Sequence, residues 1–182
     1  MTERDRCHWD AHYAESGVAP VGYANPPSIF AAFADLFPTG GRALEIACGR
    51  GCAALWLACR GMEVHAVDVS STAIQLAREL HSRSADARRA RFEVFDLDNG
   101  LPDGPPVELL LCHNFRDERL YQSMMDRLAP RGLLAIATLS EVDAGLGSFR
   151  ARRGELRHAF RDLELLAEGE SDGKAWLVGR QR

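Results

Sequence analysis

Two glycines, Gly49 and Gly51, come directly after a short apolar run, Ala43-Leu44-Glu45-Ile46-Ala47, and an aspartate, Asp68, closes a second such run seventeen residues beyond Gly51. Glycine lets the backbone turn sharply and approach a ligand with no Cβ in the way. A carboxylate at the end of a strand can accept hydrogen bonds from both hydroxyls of a ribose. In this order they predict a nucleoside site beyond the carboxyl ends of two strands, where open α/β sheets bind their ligands.

Charge, together with the pattern of the remaining chain, decides which nucleoside. Gly49-Arg50-Gly51-Cys52-Ala53-Ala54 satisfies the G-x-G-x-x-A form of the dinucleotide fingerprint, so NAD has to be weighed. Against it stands Glu45, an acid at the strand end where a dinucleotide would bring its pyrophosphate. At ~5 Å and an effective dielectric of about 20, each such like-charge pair costs about 3 kcal/mol before screening. S-adenosylmethionine (SAM) carries no phosphate, and its ammonium and sulfonium outweigh its one carboxylate. The chain also ends in a hairpin pattern rather than a further strand-helix-strand unit, and nothing after the fifth strand is long enough for a separate substrate domain. The pattern therefore favours SAM. An NAD-binding oxidoreductase and a SAM-binding protein without catalysis are the alternatives.

The elements that must position these residues alternate strand and helix. Residues 43–47, 62–68, 90–96, 107–113 and 133–139 read as strands, the last entered through an Ala129-Pro130-Arg131-Gly132 turn. Helices are expected at 52–60, closed by Gly61, at 70–83 with a serine cap, and at 118–128. In the last of these, Leu120, Met124, Met125 and Leu128 form a core-facing stripe. SIFAAFADLF after Asn25-Pro26-Pro27 reads as a capped helix. Residues 163–167 and 175–178, joined by Ser171-Asp172-Gly173, read as a hairpin. The fold class is α/β: a Rossmann-like, doubly wound, mostly parallel seven-stranded sheet with a C-terminal antiparallel hairpin. One domain is expected over 1–182, with 1–40 an N-terminal helical lid and 41–182 the SAM-binding sheet domain.

Composition narrows the partners. A formal net charge of −4 gives no general attraction to nucleic acid or anionic membrane, and no apolar run approaches a membrane span. Arginines gather at Arg88, Arg89 and Arg91 and at Arg150, Arg152 and Arg153, without interleaved aromatics, and read as solvated faces. Five cysteines with no CxxC pair read as reduced thiols, which points to the cytoplasm. His8 and His12 stand one helical turn apart near Cys7, but no fourth ligand fits the spacing of known metal sites, so no metal is expected. Trp9 and Tyr13 read as a lid over the cofactor or as core.

The string LEIACGRGCAALWLACRGMEVHAVDVSSTAI resembles the first two motifs of the class I SAM-dependent methyltransferases. Trp9-Asp10-Ala11-His12-Tyr13 and Leu128-Ala129-Pro130-Arg131-Gly132-Leu133-Leu134 are similar to segments of small bacterial enzymes of the tellurite-resistance and thiopurine methyltransferase type. The resemblance implies that Glu45, Ala47, Gly49 and Gly51 line the methionine end of SAM. It implies that Asp68 takes the ribose, that Val69, Asp96 and Leu97 surround the adenine, and that His113 and Asn114 lie nearest the methyl. Ala47 departs from the family's first glycine, which narrows the turn. Cys112-His113-Asn114-Phe115 lacks the Asn/Asp-Pro-Pro-Tyr signature of amino-methylating nucleic-acid enzymes. With so little chain outside the sheet, a small-molecule acceptor is expected. His113, with an ordinary pKa near 6.5, is either a general base or a strand-end histidine bonded to backbone.

Overall fold

The computed structural model describes residues 3–20, 22, 24–84, 87–147 and 149–182. Seven strands form one sheet: β1 (Arg42–Ile46), β2 (Glu63–Asp68), β3 (Ala90–Val94), β4 (Val107–His113), β5 (Leu128–Leu139), β6 (Glu164–Ser171) and β7 (Lys174–Arg180). Their order is β3-β2-β1-β4-β5-β7-β6. β1 to β5 run parallel, while β7 lies antiparallel between β5 and β6. The chain leaves β1 toward β2 and later places β4 on the other side, so a crevice opens where the order reverses, at the carboxyl ends of β1 and β4.

The α-helices among the described residues are α1 (Glu3–Ser16), α2 (Cys52–Cys59), α3 (Ser71–Ser82), α4 (Tyr121–Asp126) and α5 (Glu155–Ala159). Both faces of the sheet are covered because strand residues alternate sides. Ala43, Leu109, Leu111, Ala135 and Ala137 meet Ala54, Leu57, Ile74 and Phe30 on one face. Leu44, Ile46, Leu110, Leu134 and Ile136 meet Tyr121, Met124, Leu156 and Phe160 on the other. The expected mixed, mostly parallel sheet is present, and Leu120, Met124 and Met125 are buried as the stripe requires, while the helix ends at Asp126 and Leu128 is buried as the first residue of β5.

Three local expectations need correcting. Residues Ser28–Leu36 form a 3-10 segment with no side-chain cap and a non-helical break at Phe33 (φ −115°, ψ 15°). Its apolar residues Phe30, Phe33 and Leu36 recur every three positions, which the three-residue turn of a 3-10 helix aligns; Phe30 and Phe33 both pack on Trp176. Residues 129–132 are not a turn ahead of β5 but an irregularity within it, where the register against β4 shifts between Val107 and Leu109. A Cβ on Gly132 would stand 2.8 Å from the carbonyl oxygens of Ala129 and Val107, so the backbones close there only around glycine. The hairpin turn is Asp172-Gly173, both at positive φ (51° and 72°), the type I′ geometry that suits strand twist. The hairpin adds the expected antiparallel edge, with β6 outermost.

Candidate active site

A cavity of about 680 Å³ occupies the crevice. Glu45, Ala47, Gly49, Asp68, Val69, Leu97, His113 and Asn114 all line it. Gly51 and Asp96 do not. Gly51 precedes α2 at φ 73° with its α-carbon turned inward: a Cβ there would meet Ala77 at 2.8 Å and Phe92 at 3.0 Å, so this glycine serves helix packing. Asp96 caps the short turn after β3, its carboxylate accepting the Asp98 N–H at 3.0 Å.

The turn is held by Asp68. Its Oδ2 accepts the Gly49 N–H and its Oδ1 the Ser70 N–H, each at 2.9 Å. Burial raises its pKa, against the pull of those backbone donors. Ala47 adopts φ 53°, a left-handed conformation that costs an L-residue about 1–2 kcal/mol and that the family's usual glycine would adopt freely. Glu45 lies 4% exposed with one carboxylate oxygen unpartnered among the described residues. Burial, then the nearby Asp68 charge, pushes its pKa up to about 8. A buried acid whose only backbone donor among the described residues is the Ala54 N–H, with its other oxygen unpartnered, favours a cationic ligand.

The N-terminal segment closes over this turn. Trp9, His12, Tyr13 and Asn25-Pro26-Pro27 complete the lining. A Cβ on Gly49 would lie 2.8 Å from the Tyr13 hydroxyl, so the lid aromatic rests on the bare backbone. Two clasps fix α1. The Asp10 carboxylate accepts the Ser70 hydroxyl at 2.6 Å and the Thr72 N–H at 3.0 Å, at the N-terminus of α3. The Arg50 guanidinium donates to the Ser16 and Gly17 carbonyls (3.2 and 3.1 Å), at the C-terminus of α1. Both positions suit the helix dipole. Sequence reasoning missed both, since the partners lie more than thirty residues away and carry no periodic signal. The lid expectation covers residues 1–40, of which 1, 2, 21 and 23 lie outside the described residues.

His113 ends β4 at the cavity wall, and its ring makes no hydrogen bond among the described residues. Burial, then the Lys174 charge, pulls its pKa down to about 4, well below the ordinary value assumed from sequence. Asn114 turns away at φ 60°, its N–H on the Ala137 carbonyl. Phe115 is next in the lining, and Arg116 anchors the loop by a bidentate pair with Glu155 (both 2.7 Å), whose Oε1 also accepts the Tyr121 hydroxyl. His8 and His12 flank the Trp9 ring at 5.3 and 5.6 Å. Among the described residues, no three His, Cys, Asp or Glu side chains gather as metal ligands. No helix among them is long and apolar enough to cross a membrane.

Residues 43–132 match the model of a methyltransferase domain. The chain carries a class I SAM-dependent methyltransferase domain. It is 31% identical over 137 residues to the ribosomal RNA small subunit methyltransferase C of Chromohalobacter salexigens, covering 72% of this chain and 39% of that protein. The methyltransferase domain superposes on TehB from Haemophilus influenzae with a TM-score of 0.73 at 17% identity, over 86% of this chain and 62% of that one. The magnesium protoporphyrin IX methyltransferase of Synechocystis, solved with SAM bound, gives 0.65 at 17% identity over 82% and 56%. At such identities the structures share the fold. The NAD alternative falls with the family match. SAM fits the residues present: Glu45 offers an unpartnered carboxylate oxygen to an ammonium, and Gly49 lines the cavity without a side chain.

Proposed function

We propose that the chain transfers a methyl group from SAM to a small-molecule acceptor within this cavity. The observation that carries it is the convergence of a buried acid with one unpartnered oxygen, Glu45, a bare glycine turn and the ribose-competent Asp68 on one cavity covered by α1. When bound, SAM supplies an electrophilic methyl on a sulfonium. Glu45 and the Gly49 backbone hold its methionine end, and Asp68 orients the ribose through lone pairs its two backbone bonds leave free. Leu97 and Val69 supply the apolar wall for the adenine. Trp9, His12 and Phe115 exclude water and align the acceptor, and alignment alone supplies about 7–11 kcal/mol of a displacement barrier. Acceptor choice reflects the lid: α1 covers part of the crevice, which suits a small molecule better than a nucleic acid or a membrane surface. Cysteines held as thiols, with no disulfide among them, suit a reducing cytoplasm.

His113 acts here as a neutral wall and hydrogen-bond partner rather than as the general base. A group titrating near 4 is a poor proton acceptor at neutral pH, where a base works best with a pKa close to the operating pH. His113→Ala therefore costs less than the ~10²-fold of base catalysis on oxygen, nitrogen and thiol acceptors alike. Titration calorimetry with SAM and S-adenosylhomocysteine, then methyl-release assays over thiols, amines and phenols, test the reading. Absence of SAM binding overturns it, and SAM binding without transfer to any acceptor leaves a non-catalytic binding protein.

A further inference from the structure

The opposite end of the sheet holds a second cavity, of about 400 Å³, at the amino ends of β1, β2 and β3 and the loop before β4. Five arginines line it, Arg42, Arg88, Arg89, Arg91 and Arg127, against two acidic residues, Glu63 and Asp103. Among the described residues none of the five is ion-paired to a carboxylate, although six other arginines of this chain are. In a chain of net charge −4, this gathering is self-repelling without an anion to relieve it.

Three of the five are held in place by neutral acceptors. Arg89 donates to the Gly61 carbonyl at 3.3 Å and Arg127 to the Pro102 carbonyl at 2.5 Å. Arg91 donates to His65 Nδ1 at 2.8 Å, while His65 Nε2 meets Glu93 at 2.9 Å. Because a guanidinium only donates, Nδ1 must be the accepting nitrogen and Nε2–H must face Glu93, which fixes the ring in one neutral tautomer. Each guanidinium has five donors, so most remain available to a ligand with many oxygens.

We propose that this cleft is a phosphate-binding site, separate from the methyl-transfer chamber, that takes a phosphate-bearing anion of at least two charges. Tetrahedral phosphate oxygens match several guanidinium forks at once, where a single carboxylate satisfies one. The volume falls at the lower end of ligand pockets, about 300–1,000 Å³, which suits a pyrophosphate or a nucleoside diphosphate. The proposal does not rest on methyl transfer.

Calorimetry at low salt on the full chain with inorganic pyrophosphate, a nucleoside diphosphate and a single-stranded RNA of about ten nucleotides tests it. Pyrophosphate and the diphosphate are expected to bind, more weakly as salt rises. The double variant Arg42→Ala/Arg88→Ala should weaken them at least about tenfold, with SAM affinity unchanged. Both side chains are exposed and unbonded among the described residues, so the variant should fold, and unchanged SAM affinity doubles as the check. RNA binding tighter than pyrophosphate, lost in the same variant, assigns the phosphate to a nucleic-acid backbone. Failure of all three to bind at millimolar concentration, or binding that the variant leaves intact, overturns the site.

Discussion

At the carboxyl edge of the sheet two buried acids, Glu45 and Asp68, face the cavity, and Arg50 beside them is tied to the end of α1; at the amino edge five arginines gather, mostly exposed, with Arg89 and Arg127 tied to carbonyls and Arg91 to His65. Asp68 and Asp10 meet donors at the start of α3, while Arg89 reaches the Gly61 carbonyl just past the end of α2. The contrast comes from the fold. Because β1, β2 and β4 each return through an α-helix (α2, α3 and α4), helix N-termini gather at one edge and C-termini at the other, so one edge tolerates acids and the other bases. The acidic edge, being buried, can hold a cation with little screening. The basic edge meets solvent and its field is sensitive to salt.

The hardest test of that contrast removes the lid. Deleting residues 1–17 should abolish detectable methyl transfer, a loss of ~10²-fold or more from misalignment and water entry, while circular dichroism reports a folded sheet and pyrophosphate affinity stays intact. The cut stops there because Ala19 and Phe30 are core residues, 2% and 0% exposed, whose loss would damage the fold itself. A truncated protein that still transfers methyl at full rate removes the lid from the mechanism.

Next in size is Asp68→Ala, which should weaken SAM and S-adenosylhomocysteine equally, by ~1.5–3 kcal/mol, since each charge-assisted bond contributes in that range. Loss of the acceptor for Gly49 and Ser70 loosens the turn as well, so stability should also fall. Pyrophosphate affinity should not move. Calorimetry with all three ligands separates the edges, and equal weakening of all three would mean the variant had merely unfolded.

Glu45 gives a smaller, pH-dependent effect. Its folded pKa, about 8, lies above the ordinary carboxylate value, so the free protein holds it mostly protonated at pH 7. The stability this contributes is full below the unfolded pKa and is lost as pH rises through about 8. An ammonium placed beside it reverses the preference, so SAM binding at pH 7 should release most of one proton. Calorimetry in buffers of different ionisation enthalpy reads that release, and Glu45→Gln should eliminate it. Release unchanged in Glu45→Gln would assign the proton elsewhere.

Smallest is Ala47→Gly. Relief of the left-handed strain, about 1–2 kcal/mol, is offset by the unfolded-state entropy of glycine, about 0.5–1 kcal/mol. A net gain of up to about 1 kcal/mol in denaturant unfolding is expected. A loss would mean that the Ala47 methyl packs more than it strains.

The strands of the sheet were legible because apolar runs buried on both faces leave little ambiguity, as at Val107–His113, whose limits match the expectation. Eight of the ten expected site residues share one cavity because strand ends and the turns after them are fixed once the strand order is. Gly51 falls outside the cavity lining for a physical reason: a glycine required by contact with Ala77 and Phe92 looks identical in sequence to one required by a ligand. The Ser28–Leu36 segment was misread because a three-residue apolar repeat resembles an α-helical face over so short a stretch.

The sequence by itself determined the alternation of strand and helix, the glycine turn and the acid at the end of β2, since these rest on local periodicity and backbone freedom. Tertiary structure alone decided the rest. It placed Asp10 on α3 and Arg50 on α1, left one Glu45 oxygen unpartnered, lowered the His113 pKa by burial beside Lys174, and drew Arg42, Arg88, Arg89, Arg91 and Arg127 from separate segments around one cleft. Each depends on contact between residues far apart in the chain, and both desolvation and Coulomb energy are set by those neighbours in space rather than by neighbours in sequence.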